Sequence, residues 1–181
     1  DTLFARHDPD EVILLFDPPH GSVTDRKREY PDYKANRVFD ADGYSGKFVA
    51  ELEKKIKELI DLDFVTVRSQ HYEADDIAYT MSCSLTGNTL LCSGDKDWYQ
   101  YVSDCCHLVR YPGSDQLITP DNIHDVTGLT ARQWTEYLAM VGDVSDNIPG
   151  VDGIGDKTAR LIIETSPLCG LTSALIDNDH D

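Results

Sequence analysis

Nineteen residues constrain this chain more than any others: Val141 to Ala159, VGDVSDNIPGVDGIGDKTA. Gly150, Gly153 and Gly155 let the backbone turn tightly, and Asp156-Lys157-Thr158 opens a helix immediately afterwards. The segment therefore predicts a hairpin between two helices, with backbone N–H groups facing outward where a phosphate can meet them. Cap chemistry alone would also place Gly and Asp at such a turn. The first half adds something caps do not need. Asp143 and Asp146 lie three apart, a spacing that lets two carboxylates face one ion.

Upstream, carboxylates recur where short apolar runs end. Glu11–Phe16 reads as a buried, parallel strand that stops at Asp17, at the edge where open α/β sheets bind ligands. An Asp that merely begins a turn before Pro18-Pro19 is the plainer alternative. Phe64–Val67 is a second strand, followed by His71-Tyr72-Glu73-Ala74-Asp75-Asp76 and a helix with Ile77, Met81 and Leu85 on one face. Acidic residues suit a helix N-terminus, but three exceed what capping needs, and before the helix is regular they can converge. Thr89–Ser93 is a third strand, followed by Asp95-Lys96-Asp97 and a short helix through Val102 that packs Trp98, Tyr101 and Val102; there Asp97 is the expected cap.

Between these lies a contrasting stretch. Five of the sixteen basic residues fall between Arg26 and Arg37, interleaved with Tyr30 and Tyr33. Lys and Arg there can hold phosphates and the tyrosines can stack on unpaired bases, or the stretch is an ordinary charged loop. Tyr44–Ile60 is a packing helix with an apolar stripe of Phe48, Leu52, Ile56 and Leu59 or Ile60, supported by Glu51 with Lys55 and Glu53 with Lys57. His107–Tyr111 is a further strand. Ile118–Asp121 starts a helix with Pro120 at its first position, Thr130–Val141 is a helix ended by Gly142, and Asp156–Thr165 is the second helix of the hairpin. The polar tail from Pro167 shows no core pattern.

Composition excludes several classes. With 181 residues the chain can bury one good core or a large domain with a small appendage. The division expected is an α/β core over 1–118 and a helical region over 119–181. No apolar run is long enough for a membrane span, so no membrane is involved and an intracellular, cytoplasmic location is expected, in the host cytoplasm if the gene is a phage's. The cysteines, five in number, lack any Cys-x-x-Cys pair, which argues for reduced thiols, Cys169 among them. The histidines are scattered and read as structural. A net charge of −17 runs against phosphate binding, although divalent ions held by clustered Asp would offset part of it.

Taken together, the motifs Phe16-Asp17, Tyr72-Glu73-Ala74-Asp75-Asp76, Gly94-Asp95-Lys96-Asp97 and Val141–Ala159 resemble those of the 5′ nuclease (flap endonuclease) superfamily. The likeness is to its bacterial and phage branch, which includes the amino-terminal nuclease domain of bacterial DNA polymerase I. It runs collinearly from Val12 to Ile163 and includes the pattern R-x-x-x-x-P-x-Y-K-x-N-R beginning at Arg26. The resemblance implies an α/β fold with a PIN-like, mainly parallel central sheet flanked by helices. It also implies a helical arch over about 23–45 and a helix-three-turn-helix segment that binds DNA.

The implied function is a Mg²⁺-dependent, structure-specific 5′-3′ exonuclease or flap endonuclease of replication or repair. Cutting a phosphodiester in water calls for two divalent ions about 4 Å apart, with oxygen ligands. The resemblance assigns Asp17, Glu73, Asp75 and Asp76 to a first Mg²⁺ and Asp95, Asp97, Asp143 and Asp146 to a second, with Mn²⁺ as substitute. It assigns Lys34 and Arg37, with Arg26 and Tyr33, to the phosphate about to be cut. Gly153, Gly155, Lys157 and Thr158 would hold the duplex downstream of a flap or 5′ end, with K⁺ bound at the hairpin.

One departure stands out: the family's first strand, with a further Asp, precedes the equivalent of Val12–Phe16, and here Asp1 ends no hydrophobic run. An excised piece, a shortened gene product or a partner polypeptide supplying the strand would each explain this, and a polymerase domain is another expected partner. Loss of that ligand motivates an alternative, a structure-specific DNA-binding module that no longer cuts. A PIN-like ribonuclease is a third reading.

Overall fold

The computed structural model describes residues 3–165, with side chains from residue 5; Asp1, Cys169 and the tail from Pro167 lie outside the described residues. The chain divides into two compact units, Asp1–Met81 and Ser82–Asp181. The fold is mixed α/β with a helical segment, as expected.

The first unit opens with a short helix that the sequence did not announce, α1 (Leu3–His7), followed by β1 (Ile13–Phe16), α2 (Asp25–Glu29), α3 (Tyr44–Asp61), β2 (Val65–Arg68) and the start of α4 (Ala74–Ser84). β1 and β2 run parallel in the register Ile13↔Val65 to Phe16↔Arg68, with α3 as the long connection such a pair needs. Residues of β1 are half-buried rather than buried, because among the described residues β1 pairs on one side alone. In α3 the stripe holds at Ile56, which is buried, whereas Phe48 and Ile60 are exposed. The outer-face ion pairs also differ from those expected: Lys55 pairs with Glu58, and Glu53 with Arg68 across to the strand. Arg68 does two things at once. Its Nε donates to the Asp17 carbonyl at 2.7 Å while its terminal nitrogens hold Glu53 at 2.8 and 2.7 Å, so the end of β1 is tied to α3.

The second unit contains β3 (Thr89–Cys92), a 3₁₀ helix (Lys96–Tyr101), β4 (Cys106–Val109), β5 (Leu117–Ile118), α5 (Ile123–Thr127), α6 (Ala131–Val141), β6 (Gly142–Asp143), β7 (Ile148–Pro149) and α7 (Asp156–Thr165). β4 lies parallel to β3 and antiparallel to β5, and among the described residues the hydrogen-bonded sets are β1–β2, β3–β4–β5 and β6–β7. The helix expected to start near Pro120 begins at Ile123, because Leu117 and Ile118 are spent on β5 and the Asn122 side chain accepts from the Thr119 amide at 2.8 Å. Thr130 and Gln133 form a reciprocal capping box that fixes the start of α6. Leu108, Ile118, Leu129 and Ile163 are the largest fully buried side chains. Trp134 packs edge-on against Tyr99 at 5.3 Å and stacks with Tyr137 at 5.0 Å, joining α6 to the 3₁₀ helix. No helix among the described residues is long and apolar enough to cross a membrane.

Candidate active site

In the first unit the structure gathers Asp17, Arg26, Tyr33, Lys34, Glu73, Asp75 and Asp76. β1 ends at Phe16 and leaves Asp17 where its Oδ1 accepts from the Ala74 amide at 3.0 Å, capping the turn that opens α4. Glu73, immediately before that helix, is 6 % exposed. Its backbone N–H donates to Asp76 Oδ2 at 2.9 Å, so the turn itself brings the two carboxylates onto one side.

The basic stretch supplies the partners. Thr24 caps α2 by accepting from the Lys27 amide, and the Asp25 amide donates to the His71 carbonyl at 3.0 Å, which fastens the start of α2 to the loop before Glu73. Arg26 reaches Glu73 Oε2 at 3.2 Å and Asp75 Oδ2 at 3.6 Å with one terminal nitrogen and Asp76 Oδ1 at 2.5 Å with the other. The Tyr33 hydroxyl donates to Glu73 Oε2 at 2.7 Å, and Lys34 Nζ donates to both Glu73 oxygens at 2.9 and 2.8 Å. Tyr33, read from the sequence as a stacking or phosphate-gripping side chain, is 3 % exposed and lies within the fold. Lys34 adopts a left-handed backbone, φ 55°, which costs a non-glycine residue about 1–2 kcal/mol. Such a conformation persists where surrounding contacts fix it, and here those contacts include the Glu73 pair. Arg37 is exposed, three residues further on.

The electrostatics follow from this crowding. Burial pushes the Asp75 carboxyl up; Arg26 opposes the rise, while the Glu73 and Asp17 charges add to it. Burial by itself would lower Lys34, but bonds to Glu73 and Tyr33 outweigh it and hold the ammonium well above its ordinary value. Burial, with the bond to Glu73, pushes the Tyr33 hydroxyl up to about 12. All four carboxylates offer hard oxygen, the donor set that suits Mg²⁺ or Mn²⁺. Among the described residues no three His, Cys, Asp or Glu side chains stand arranged to hold a metal ion. In the first unit Arg26 and Lys34 both reach the carboxylate oxygens.

In the second unit Asp95 and Asp143 each accept hydrogen bonds from within their own turns. Asp95, not Asp97, caps the 3₁₀ helix, accepting from the Asp97 amide at 3.0 Å. Asp143 Oδ1 accepts from the Ser145 amide at 2.6 Å, the Ser145 hydroxyl at 2.7 Å and the Asp146 amide at 3.3 Å. This turn is closed by the two-residue ladder of β6 and β7 and hinged on Gly142 (φ 67°), where an added Cβ would sit 2.3 Å from the Gly150 nitrogen.

Beyond the ladder, the Val151 amide donates to the Met140 carbonyl at 2.8 Å and the Ile154 amide to the Val151 carbonyl at 3.0 Å, bringing the chain round to α7. Gly153 (φ 76°) and Gly155 have nothing within 4 Å of an added Cβ, so another molecule's backbone can approach them. Lys157 and Thr158 are exposed on the first turn of α7. Behind that turn, Asp156 Oδ1 accepts from Tyr137 at 2.9 Å and Arg160 at 2.8 Å, and Arg160 also donates to the Thr127 carbonyl at 2.7 Å. Arg68 and this Tyr137–Asp156–Arg160 set went unread in the sequence, where a lone Arg or Tyr carries no spacing signal.

The family described as 5′-3′ exonuclease, N-terminal resolvase-like domain, matches residues 1–128, and that described as 5′-3′ exonuclease, C-terminal SAM fold, matches residues 119–175. DNA polymerase I of Deinococcus radiodurans is 34 % identical over 164 residues, covering 88 % of this chain and 16 % of that protein. Thermostable DNA polymerase I of Thermus aquaticus is 36 % identical over 177 residues, covering 96 % and 20 %. This chain thus spans about a fifth of the length of these curated relatives. Among solved structures, the phage T5 D15 protein co-crystallised with metal ions superposes with a TM-score of 0.75 at 26 % identity, over 90 % of this chain and 62 % of that one. The T5 5′-exonuclease with bound zinc gives a TM-score of 0.77 at 25 % identity, over 96 % and 67 %.

Proposed function

We propose a function from one premise: this chain belongs to the 5′-3′ exonuclease family, in the phage and bacterial branch of the flap endonuclease superfamily. It is a structure-specific DNA nuclease that hydrolyses phosphodiesters of branched or 5′-ended DNA in replication or repair. The observation that carries this reading is the convergence of Asp17, Glu73, Asp75 and Asp76 with Lys34, a cation within 2.9 Å of Glu73.

In this reading Asp17, Glu73, Asp75 and Asp76 hold one divalent ion, and Asp95, Asp97, Asp143 and Asp146 hold a second, Mg²⁺ or Mn²⁺. The phage T5 relatives carry metal ions, zinc in one of them, which supports divalent-ion binding as such. Bound there, such ions supply an activated water and charge stabilisation for the leaving oxygen. The chain's own groups do the remainder. Lys34 and Arg37 grip the phosphate about to be cut and orient it at the carboxylates. The amides around Gly153 and Gly155, with Lys157 and Thr158, hold phosphates of the downstream duplex at the N-terminus of α7, with K⁺ at the hairpin carbonyls. Since the curated relatives are DNA polymerases, a polymerase domain is the natural partner.

The test is cleavage of a 5′-flap DNA in Mg²⁺ and in chelator. The full chain should cut in Mg²⁺ alone, and Asp95→Asn with Asp143→Asn should abolish cutting while flap binding remains. A double variant that cuts at the parent's rate contradicts the ion assignment. A parent that holds flap DNA in chelator and cuts at no Mg²⁺ concentration is a binding module instead. Preference for RNA flaps would make it a ribonuclease.

A further inference from the structure

Arg26 is used differently from the other arginine of its helix. Arg28 pairs with Asp25 one turn away on α2 itself, and both are half-exposed. Arg26 instead spans three carboxylates from another part of the unit, Glu73, Asp75 and Asp76, with a single fork. Its reach is set from behind, because the Thr24 cap and the Asp25–His71 bond fix where α2 begins. It is set from the side as well: the same nitrogen that meets Glu73 lies 3.3 Å from the Tyr33 hydroxyl, which is buried and itself bonded to Glu73. A planar guanidinium can hold two acceptors at fixed angles, whereas an ammonium is a point charge. Left without cations, four carboxylates in so small a space would repel one another apart.

We infer that Arg26 is a positioning residue, a built-in counter-ion that keeps Glu73, Asp75 and Asp76 gathered and yields them to an incoming divalent ion. The inference rests on the reading that these carboxylates take such an ion. It distinguishes Arg26 by its span: Lys34 also bonds Glu73, but Arg26 reaches Glu73, Asp75 and Asp76 together, while Lys34 and Arg37 keep the proposed grip on the phosphate.

The consequence has two opposed parts. Without divalent ions, loss of Arg26 leaves like charges uncompensated and the fold weaker. With them, the same loss removes an internal competitor, so the ion binds at lower concentration and restores more stability than it gives the parent. A side chain with a purely structural role produces the first part without the second.

Thermal melting of the full chain without DNA, titrated with Mg²⁺ or with Ca²⁺, reads both. Arg26→Gln should melt roughly 4 °C below the parent in chelator. Its half-saturating ion concentration should fall roughly fivefold or more, so that the two melting temperatures converge at high ion. Arg26→Lys, which keeps the charge without the fork, should lie between and covers the case in which Arg26→Gln does not fold. An unchanged or weakened ion response in these variants overturns the inference, as does a loss confined to flap-DNA binding. A parent with no response to either ion overturns the carboxylate-site reading, and the inference with it.

Discussion

Glu73, immediately before α4, and Asp143, in the two-residue strand after α6, are both carboxylates at junctions between elements, yet they are held by different chemistry. Glu73 is buried, and its oxygens are taken by side chains 39 to 47 residues away, Lys34, Tyr33 and Arg26. Asp143 is held by the two residues after Val144, through the Ser145 amide and hydroxyl and the Asp146 amide. The first arrangement depends on tertiary contact and on charge, so removing one member disturbs several others. The second includes a local turn whose bonds to one oxygen any acceptor of the same shape can satisfy. Residues serving one proposed chemistry should therefore differ in what their substitution does to the fold.

The largest effect follows directly. Glu73→Gln and Asp143→Asn should each reduce flap cleavage by about a hundredfold or more. In chelator Glu73→Gln should also lose about 1–3 kcal/mol of stability, since it leaves Lys34 and Arg26 under-compensated. Asp143→Asn should lose less, because the Asn oxygen still accepts from the Ser145 amide and hydroxyl. Urea melts of both variants check this, and equal stability losses would erase the contrast.

A second comparison lies within the hairpin segment. Gly142→Ala drives a Cβ to within 2.3 Å of backbone at φ 67° and should cost roughly 3 kcal/mol. Gly153→Ala, at φ 76° with open space around it, should cost roughly 1 kcal/mol. It should weaken duplex affinity more than it weakens the fold, which binding and melting measured together will show.

Smaller still is the salt dependence of DNA binding. A chain of net charge −17 has few cations to offer. With contacts limited to Lys34, Arg37 and the hairpin, the log–log slope should stay below about 5, at about 0.9 per phosphate. A steeper slope places the basic face elsewhere.

The smallest effect is a proton. The bond from Arg160, with that from Tyr137, holds the Asp156 carboxyl below its ordinary 3.8. A carboxyl depressed on folding adds stability that is present above the ordinary value and lost as pH falls through the depressed one. Carboxyl NMR titration should show the depressed value in the parent and its return towards 3.8 in Tyr137→Phe.

Which features could be read beforehand follows the same division between local and distant contacts. Helices α6 and α7 were legible because Thr130 with Gln133, Gly142 and Asp156 mark their ends in adjacent residues. The parallel strands were legible as apolar runs. β5, β6 and β7 were not, since two-residue strands have no period to detect. Neither was the burial of Tyr33: a tyrosine among basic residues reads as a nucleic-acid contact, and only the arrival of Glu73 from forty residues away turns it inward. The carboxylates themselves could be named from the sequence; that Arg26 would bridge three of them could not.

Divalent-ion binding tests the central claim most directly. Titration of the full chain with Mn²⁺, with free ion followed by its paramagnetic resonance, should count two bound ions in the parent. It should count one in Glu73→Gln and one in Asp143→Asn. A parent that binds no Mn²⁺, or variants that both keep the parent's count, would contradict the assignment of these carboxylates to divalent-ion chemistry.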